Sequence, residues 1–123
     1  MRSCQNVPME IGGFARGIPL FNAGEFFEAH EVWEDVWRVA PEPERKFLQG
    51  LIQIAVAFHH RSTGNLVGAA SLMDRGARNL SQYADEFGGI ELNALLIVIT
   101  EWQRALKQMG PLPPLPRVEL LEC

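Results

Sequence analysis

The run from Glu44 to Arg61 limits the fold of this chain more than any other stretch. Leu48, Leu51, Ile52, Ile54, Ala55, Val56, Ala57 and Phe58 are spaced so that they cover almost the whole circumference of a helix. A helix that is apolar on nearly every side has to be surrounded, so this run predicts a central element packed on several neighbours. Gln49 and Gln53 interrupt it, and its apolar part is too short to cross a bilayer. Pro41 and Pro43 stand before it and Gly64 behind it, residues suited to a first turn and to a C-terminal stop respectively.

The flanking sequence supplies its neighbours. A first helix is predicted over about 22–38, with Asn22 as N-cap, Glu25 at the third helical position, and a hydrophobic staple between Phe21 and Phe26. Its stripe is Phe26, Phe27, Trp33, Val36 and Trp37. The central helix is placed at about 44–61. A third is expected over about 66–87 behind an Asn65 cap, with Gly68 and Gly76 permitting close approach and Gly88-Gly89 breaking it. A fourth is expected over about 90–109 with Leu92, Leu95, Leu96, Ile99, Trp102 and Leu106 as its stripe, stopped by Gly110. No segment shows the alternating, β-branched pattern of a strand.

Short connections make antiparallel neighbours. The expected fold class is therefore all-α, a four-helix bundle-like arrangement of two antiparallel helical hairpins. Residues 1–110 would form one helical domain and 111–123 an extended proline-rich C-terminal tail. In that tail, Leu112, Leu115, Val118, Leu120 and Leu121 are apolar enough to lie over the bundle or against a second subunit.

Composition narrows the function classes. An apolar fraction of 47% and a charged fraction of 21% belong to a globular chain rather than a disordered one. The net charge of −4 gives no basic field for a phosphate backbone, so no nucleic-acid partner is expected. Met1 to Asn6 lacks the apolar run of a signal peptide, which together with the absence of a bilayer-length segment predicts a cytoplasmic protein without membrane association. Cys4 and Cys123, one near each end, fit no metal or redox spacing, and a reducing cytosol would leave them as free thiols.

One group of side chains suggests chemistry. His30 and Glu34 are four apart and share a helix face, with Phe27 and Trp37 above and below them. A carboxylate at the edge of an aromatic stripe needs a partner. His30 itself is one candidate. His59 and His60 end the central helix and point about 100° apart, so one of them would turn inward. Gln53 shares a face with His60, and Gln49 lies one turn further back. Arg75 and Arg78 on the third helix are candidates for a bidentate pair with Glu34.

The run Phe21-Asn22-Ala23-Gly24-Glu25-Phe26-Phe27-Glu28-Ala29-His30-Glu31-Val32-Trp33-Glu34-Asp35-Val36-Trp37 resembles the signature of a bacterial and archaeal family, domain of unknown function 309. That signature is His-x-x-x-Glu-x-x-Trp or Tyr, matched by His30, Glu34 and Trp37. Phe47-Leu48-Gln49-Gly50-Leu51-Ile52-Gln53 and Phe58-His59-His60 are similar to it as well, so the likeness extends from Phe21 to Leu80. It implies an all-helical fold and a metal-binding role for the His/Glu motif, and it implies no reaction.

Three readings follow. In the first, His30 and Glu34 bind a divalent metal such as zinc or iron, with His59 or His60 as a third ligand and open positions for water. Position 34 holds Glu where a His-Glu-x-x-His motif needs its second histidine, so a zincin protease is disfavoured. In the second, Glu34 pairs with Arg75 or Arg78 and the cluster, supported by Gln49, Gln53 and Trp37, is architecture. In the third, the chain is a helical interaction module whose partner is another protein, a second copy, or a small ligand of unknown kind. Ser62, Ser71 and Ser81 have no activating context, and no phosphate-binding glycine loop is present.

Overall fold

The computed structural model describes residues 12–121, and over them the chain is all-helical. Five helices follow in order: α1 (Gly12–Asn22), α2 (Phe26–Val39), α3 (Glu42–Ser62), α4 (Leu66–Leu80) and α5 (Leu92–Gln108). A short 3-10 turn at Phe87–Gly89 precedes α5. Among the described residues the one β feature is an isolated antiparallel bridge between Ile90 and Leu120. Cys4, Cys123 and the Met1 to Asn6 stretch lie outside the described residues.

Helices α2 to α5 are the predicted four, and α1 is additional. Its sequence carries Gly12, Gly13, Gly17 and Pro19, all unfavourable in a helix interior. Burial outweighs that. Phe14, Ile18 and Phe21 fall at i, i+4 and i+7 and are all buried. The rings pack on α2: Phe14 and Phe21 lie 6.0 and 5.6 Å from the Trp33 ring, and Phe21 meets Phe26 edge-on at 5.1 Å. The Phe21–Phe26 contact is thus formed, but between two helices rather than across one cap.

Asn22 is the last residue of α1, not the cap of α2, which starts four residues later, at Phe26, behind Glu25 with no side-chain cap. The central helix is as expected and slightly longer. Phe47, Leu48, Leu51, Ile54, Ala55, Ala57 and Phe58 are buried against α2 on one side and α4 on the other. Contacts run tail to head along the meander. Phe26 at the start of α2 stacks on Phe58 near the end of α3 at 5.2 Å, and Asn79 near the end of α4 donates to Gln53 Oε1 at 2.8 Å.

α3 and α4 cross at Gly50 and Gly76. A Cβ on Gly76 would lie 2.9 Å from the Gly50 carbonyl oxygen and 2.8 Å from Ile54 Cδ1. Gly68, also expected to serve a close approach, instead donates its N–H to the Asn65 cap at 2.9 Å.

α4 ends at Leu80 rather than Phe87. Tyr83 and Phe87 leave the helix to pack on Phe47, with ring centroids at 5.6 and 4.9 Å. The Tyr83 hydroxyl accepts from Phe47 N–H and donates to the Pro43 carbonyl, both at 3.0 Å, bridging the first turn of α3. The aromatic contacts win over continuation of the helix.

Gly110 does not itself form the stop of α5. Met109 takes the left-handed conformation, with φ 52°. That region favours glycine, and Met109 is 91% exposed, so its side chain adds little packing. Met109→Gly is expected to raise stability by about 0.5–1 kcal/mol, measured by urea denaturation.

Beyond this turn the tail is extended and returns over the fold, where Trp102 Nε1 donates to the Pro114 carbonyl at 2.8 Å. Val118 and Pro116 are buried, while Leu112, Leu115 and Leu120 are exposed. No fully buried side-chain nitrogen or oxygen lacks a partner among the described residues. Nor is any described helix long and apolar enough to cross a membrane.

Candidate functional site

α2 positions the candidate residues because its two sides differ. Phe26, Ala29 and Trp33 face the core and are buried. The other side carries Phe27, Glu28, Glu31, Asp35 and Arg38, all exposed. His30 and Glu34 sit on the boundary between them, with side-chain exposures of 18% and 42%.

The imidazole of His30 is oriented by its own backbone. Its Nδ1 lies 2.9 Å from the Phe27 carbonyl oxygen. A carbonyl can only accept, so Nδ1 carries the proton and the neutral ring keeps its lone pair on Nε2. Nε2 faces Glu34 Oε1 at 4.0 Å. The same oxygen is 3.5 Å from Arg38 Nη2, while Arg38 Nη1 bonds Asp35. His30, Glu34 and Arg38 therefore form a ladder along one helix at i, i+4 and i+8, cross-braced by Asp35.

Glu34 takes its cation from Arg38, and this corrects the pairing expected with Arg75 or Arg78. Those two arginines are exposed on α4. A partner one turn away on the same helix has a fixed geometry, whereas a cation from another helix would have to be brought across the core. Gln53 also belongs elsewhere, since its amide oxygen is taken by Asn79. Gln49 is half-buried on α3. Trp37 serves the α2–α3 corner: the Arg45 guanidinium lies 4.2 Å over its ring, and Arg45 Nη1 donates to its carbonyl at 2.9 Å.

His59 approaches the ladder only through an aromatic ring. Phe27, 44% exposed, lies with its centroid 5.1 Å from His30 and 5.1 Å from His59. His60 is further along, 6.3 Å from His59 ring to ring. The structure thus brings His30 and Glu34 together and sets His59 and His60 apart from them. Among the described residues no group of three or more His, Cys, Asp or Glu is placed to hold a metal ion. One imidazole nitrogen and one carboxylate are available, which is two of the three or four protein ligands that zinc sites use.

Sequence reasoning missed Arg38, which was legible as an i,i+4 partner of Glu34. Phe27, assigned to the core stripe, faces outward, because Phe26 beside it takes the inward position against Phe58.

The fold and this face define a small all-helical domain that presents a mixed aromatic and acidic helix surface. Residues 14–72, from α1 into α4, match the family described as domain of unknown function (DUF309), and this segment belongs to it. The chain is similar to an uncharacterised protein of Aquifex aeolicus (strain VF5), 31% identical over 96 residues, covering 77% of this chain and 28% of that protein. It is also similar to the uncharacterised protein YpuF of Bacillus subtilis (strain 168), 40% identical over 57 residues, covering 46% of this chain and 33% of that protein. The matches thus account for about a third or less of these relatives' lengths.

Proposed function

We propose that the chain is a non-catalytic helical binding module whose contact face is Phe27, flanked by His30 and His59 and continued by the acidic side of α2. The observation that carries this reading is the Phe27 ring, 44% exposed and held between two imidazoles on a rigid helix. An aromatic side chain fixed in place at the surface loses little entropy on contact, which suits an interface anchor. Glu28, Glu31, Glu34 and Asp35 continue from it against the single cation Arg38. The matching partner is a basic amphipathic segment with one large apolar residue to seat on Phe27. The occurrence of similar sequence as about a third of longer proteins fits a module that works by contact.

The test is an NMR titration of the isotope-labelled chain with a lysine- and leucine-rich helical peptide. Shifts are expected to map to α2 around Phe27, His30 and His59. Affinity should weaken at least tenfold in Phe27→Ser and in high salt. Scattered shifts, or a Phe27→Ser variant that binds equally well, would remove this face from the proposal.

A second reading, a divalent metal held by His30 and Glu34, has its own support in the His30 tautomer. Nδ1–H donated to a carbonyl leaves Nε2 as the donor atom, the arrangement in which metal-binding histidines are held. Zinc or iron bound there would draw its other ligands from water or from a partner. Elemental analysis of untagged protein beside His30→Ala checks it. Stoichiometric metal lost in the variant would favour this reading; metal-free wild type that gains no thermal stability from added zinc or iron would end it.

A further inference from the structure

We propose that the groove under the C-terminal segment is a receptor site for extended chain, and that a second copy of this protein can supply the same segment, so that two copies exchange their straps. The strap is residues 114–121, and its contacts have the form of peptide recognition rather than of a continuous core. The Asn22 amide grips Val118 from both sides: Nδ2 donates to the Val118 carbonyl at 3.0 Å, and Val118 N–H donates to Oδ1 at 2.7 Å. Further along, Glu91 N–H donates to the Glu119 carbonyl at 2.8 Å and Leu121 N–H to the Gly89 carbonyl at 3.0 Å. Trp102 Nε1 holds the Pro114 carbonyl at the other end. Main-chain groups thus make the bonds. From 115 to 119 the side chains alternate, with Pro116 and Val118 buried and Leu115, Arg117 and Glu119 exposed. Backbone pairing with pockets for alternate residues is how sheet edges and grooves take extended peptides.

The connection to α5 is what allows exchange. For Pro114 to reach Trp102 the chain must reverse directly after α5, and it does so through Met109, held in the left-handed region at φ 52°. Gly110 follows, and then Pro111 and Pro113, whose rings favour extended chain over tight reversal. Opening the turn relieves Met109 and lets the prolines run straight, while every groove contact is remade in the partner. Exchange of one element between identical chains needs no new interface chemistry. Leu112, Leu115 and Leu120, 52%, 47% and 60% exposed with the strap closed on its own chain, offer apolar surface to the second copy.

The experiment uses the full chain, its Val118→Ser, Pro116→Ser, Met109→Gly and Asn22→Ala variants, and a synthetic peptide of residues 111–121. Sedimentation over a range of concentrations should show wild type passing from monomer to dimer, and the two strap variants remaining monomeric. Met109→Gly should move the equilibrium towards monomer. By calorimetry the peptide should bind the strap variants at least tenfold more tightly than wild type, whose groove is filled by a tethered competitor. Asn22→Ala should lose both dimer and peptide binding. A strap variant that keeps its helical circular dichroism yet takes no peptide would overturn the receptor site. A dimer that forms as well in Val118→Ser as in wild type would overturn exchange. If one strap variant fails to fold, the other carries the same test.

Discussion

Trp33→Ala is expected to cost about 3–5 kcal/mol, a large part of the stability of a domain this size. Trp33 is fully buried, and it is the side chain on which α1 is docked. Phe14 stacks on its ring and Phe21 packs against it at a tilt, and its Nε1–H is the donor to the Phe14 carbonyl at 3.0 Å. Gly17 lies so close to the ring that a Cβ there would fall 2.7 Å from Trp33 Cδ1. Removing the indole therefore opens a cavity, strands a carbonyl, and leaves a glycine- and proline-bearing helix with nothing to rest on. Trp33→Phe should cost about 1–3 kcal/mol, since it retains most of the apolar contact but loses the hydrogen bond. Urea denaturation followed by circular dichroism checks both. A loss below about 1 kcal/mol for Trp33→Ala would mean that α1 is not docked through this residue.

Gly76→Leu is expected to destabilise by about 3 kcal/mol or more, because overpacking here meets backbone as well as side chain. Helix propensity alone argues the other way, as leucine is favoured over glycine in a helix interior by somewhat under 1 kcal/mol. The geometry decides the sign. The added Cβ would stand 2.9 Å from the Gly50 carbonyl oxygen, an atom of the neighbouring helix that cannot rotate aside. To admit it, α3 and α4 must move apart at the crossing, where Ile54 packs on Gly76 and Leu80 on Gly50. Gly110→Ala provides the control, for a Cβ there meets nothing within 4 Å. The same denaturation experiment should find that variant unchanged within about 0.5 kcal/mol. A Gly76→Leu chain as stable as wild type would refute the close crossing.

Much of the candidate site could be read from residue spacing. His30 and Glu34 had to be neighbours if the segment was helical, and Arg38 completes the same series. The sequence reading looked to the arginines of α4 for the partner of Glu34, whereas the structure takes it from Arg38, one turn away on the same helix. Phe26 and Phe27 illustrate the same difficulty, because adjacent aromatic residues compete for one inward position and only the location of Phe58 settles which one takes it. Asn22 is a further case. A carboxamide beside a helix start suits an N-cap, but its oxygen and nitrogen equally suit a main-chain N–H and carbonyl in an extended segment. Val118, 96 residues away, supplies both.

The sequence by itself determined which segments become helices wherever the signal is local. The all-round apolar α3, the Asn65 cap that accepts from Gly68, and the stripes of α4 and α5 depend on residues within a turn or two of one another. Tertiary structure alone decided what depends on distant partners. The formation of α1 despite Gly17 and Pro19, the early end of α4 at Leu80, the outward turn of Phe27 and the clamp of the tail by Asn22 all belong to this group. The reason is one of range. Capping and i,i+4 contacts are set by chain geometry over about one turn, whereas burial of an aromatic ring against another helix is worth more than local propensity and can override it.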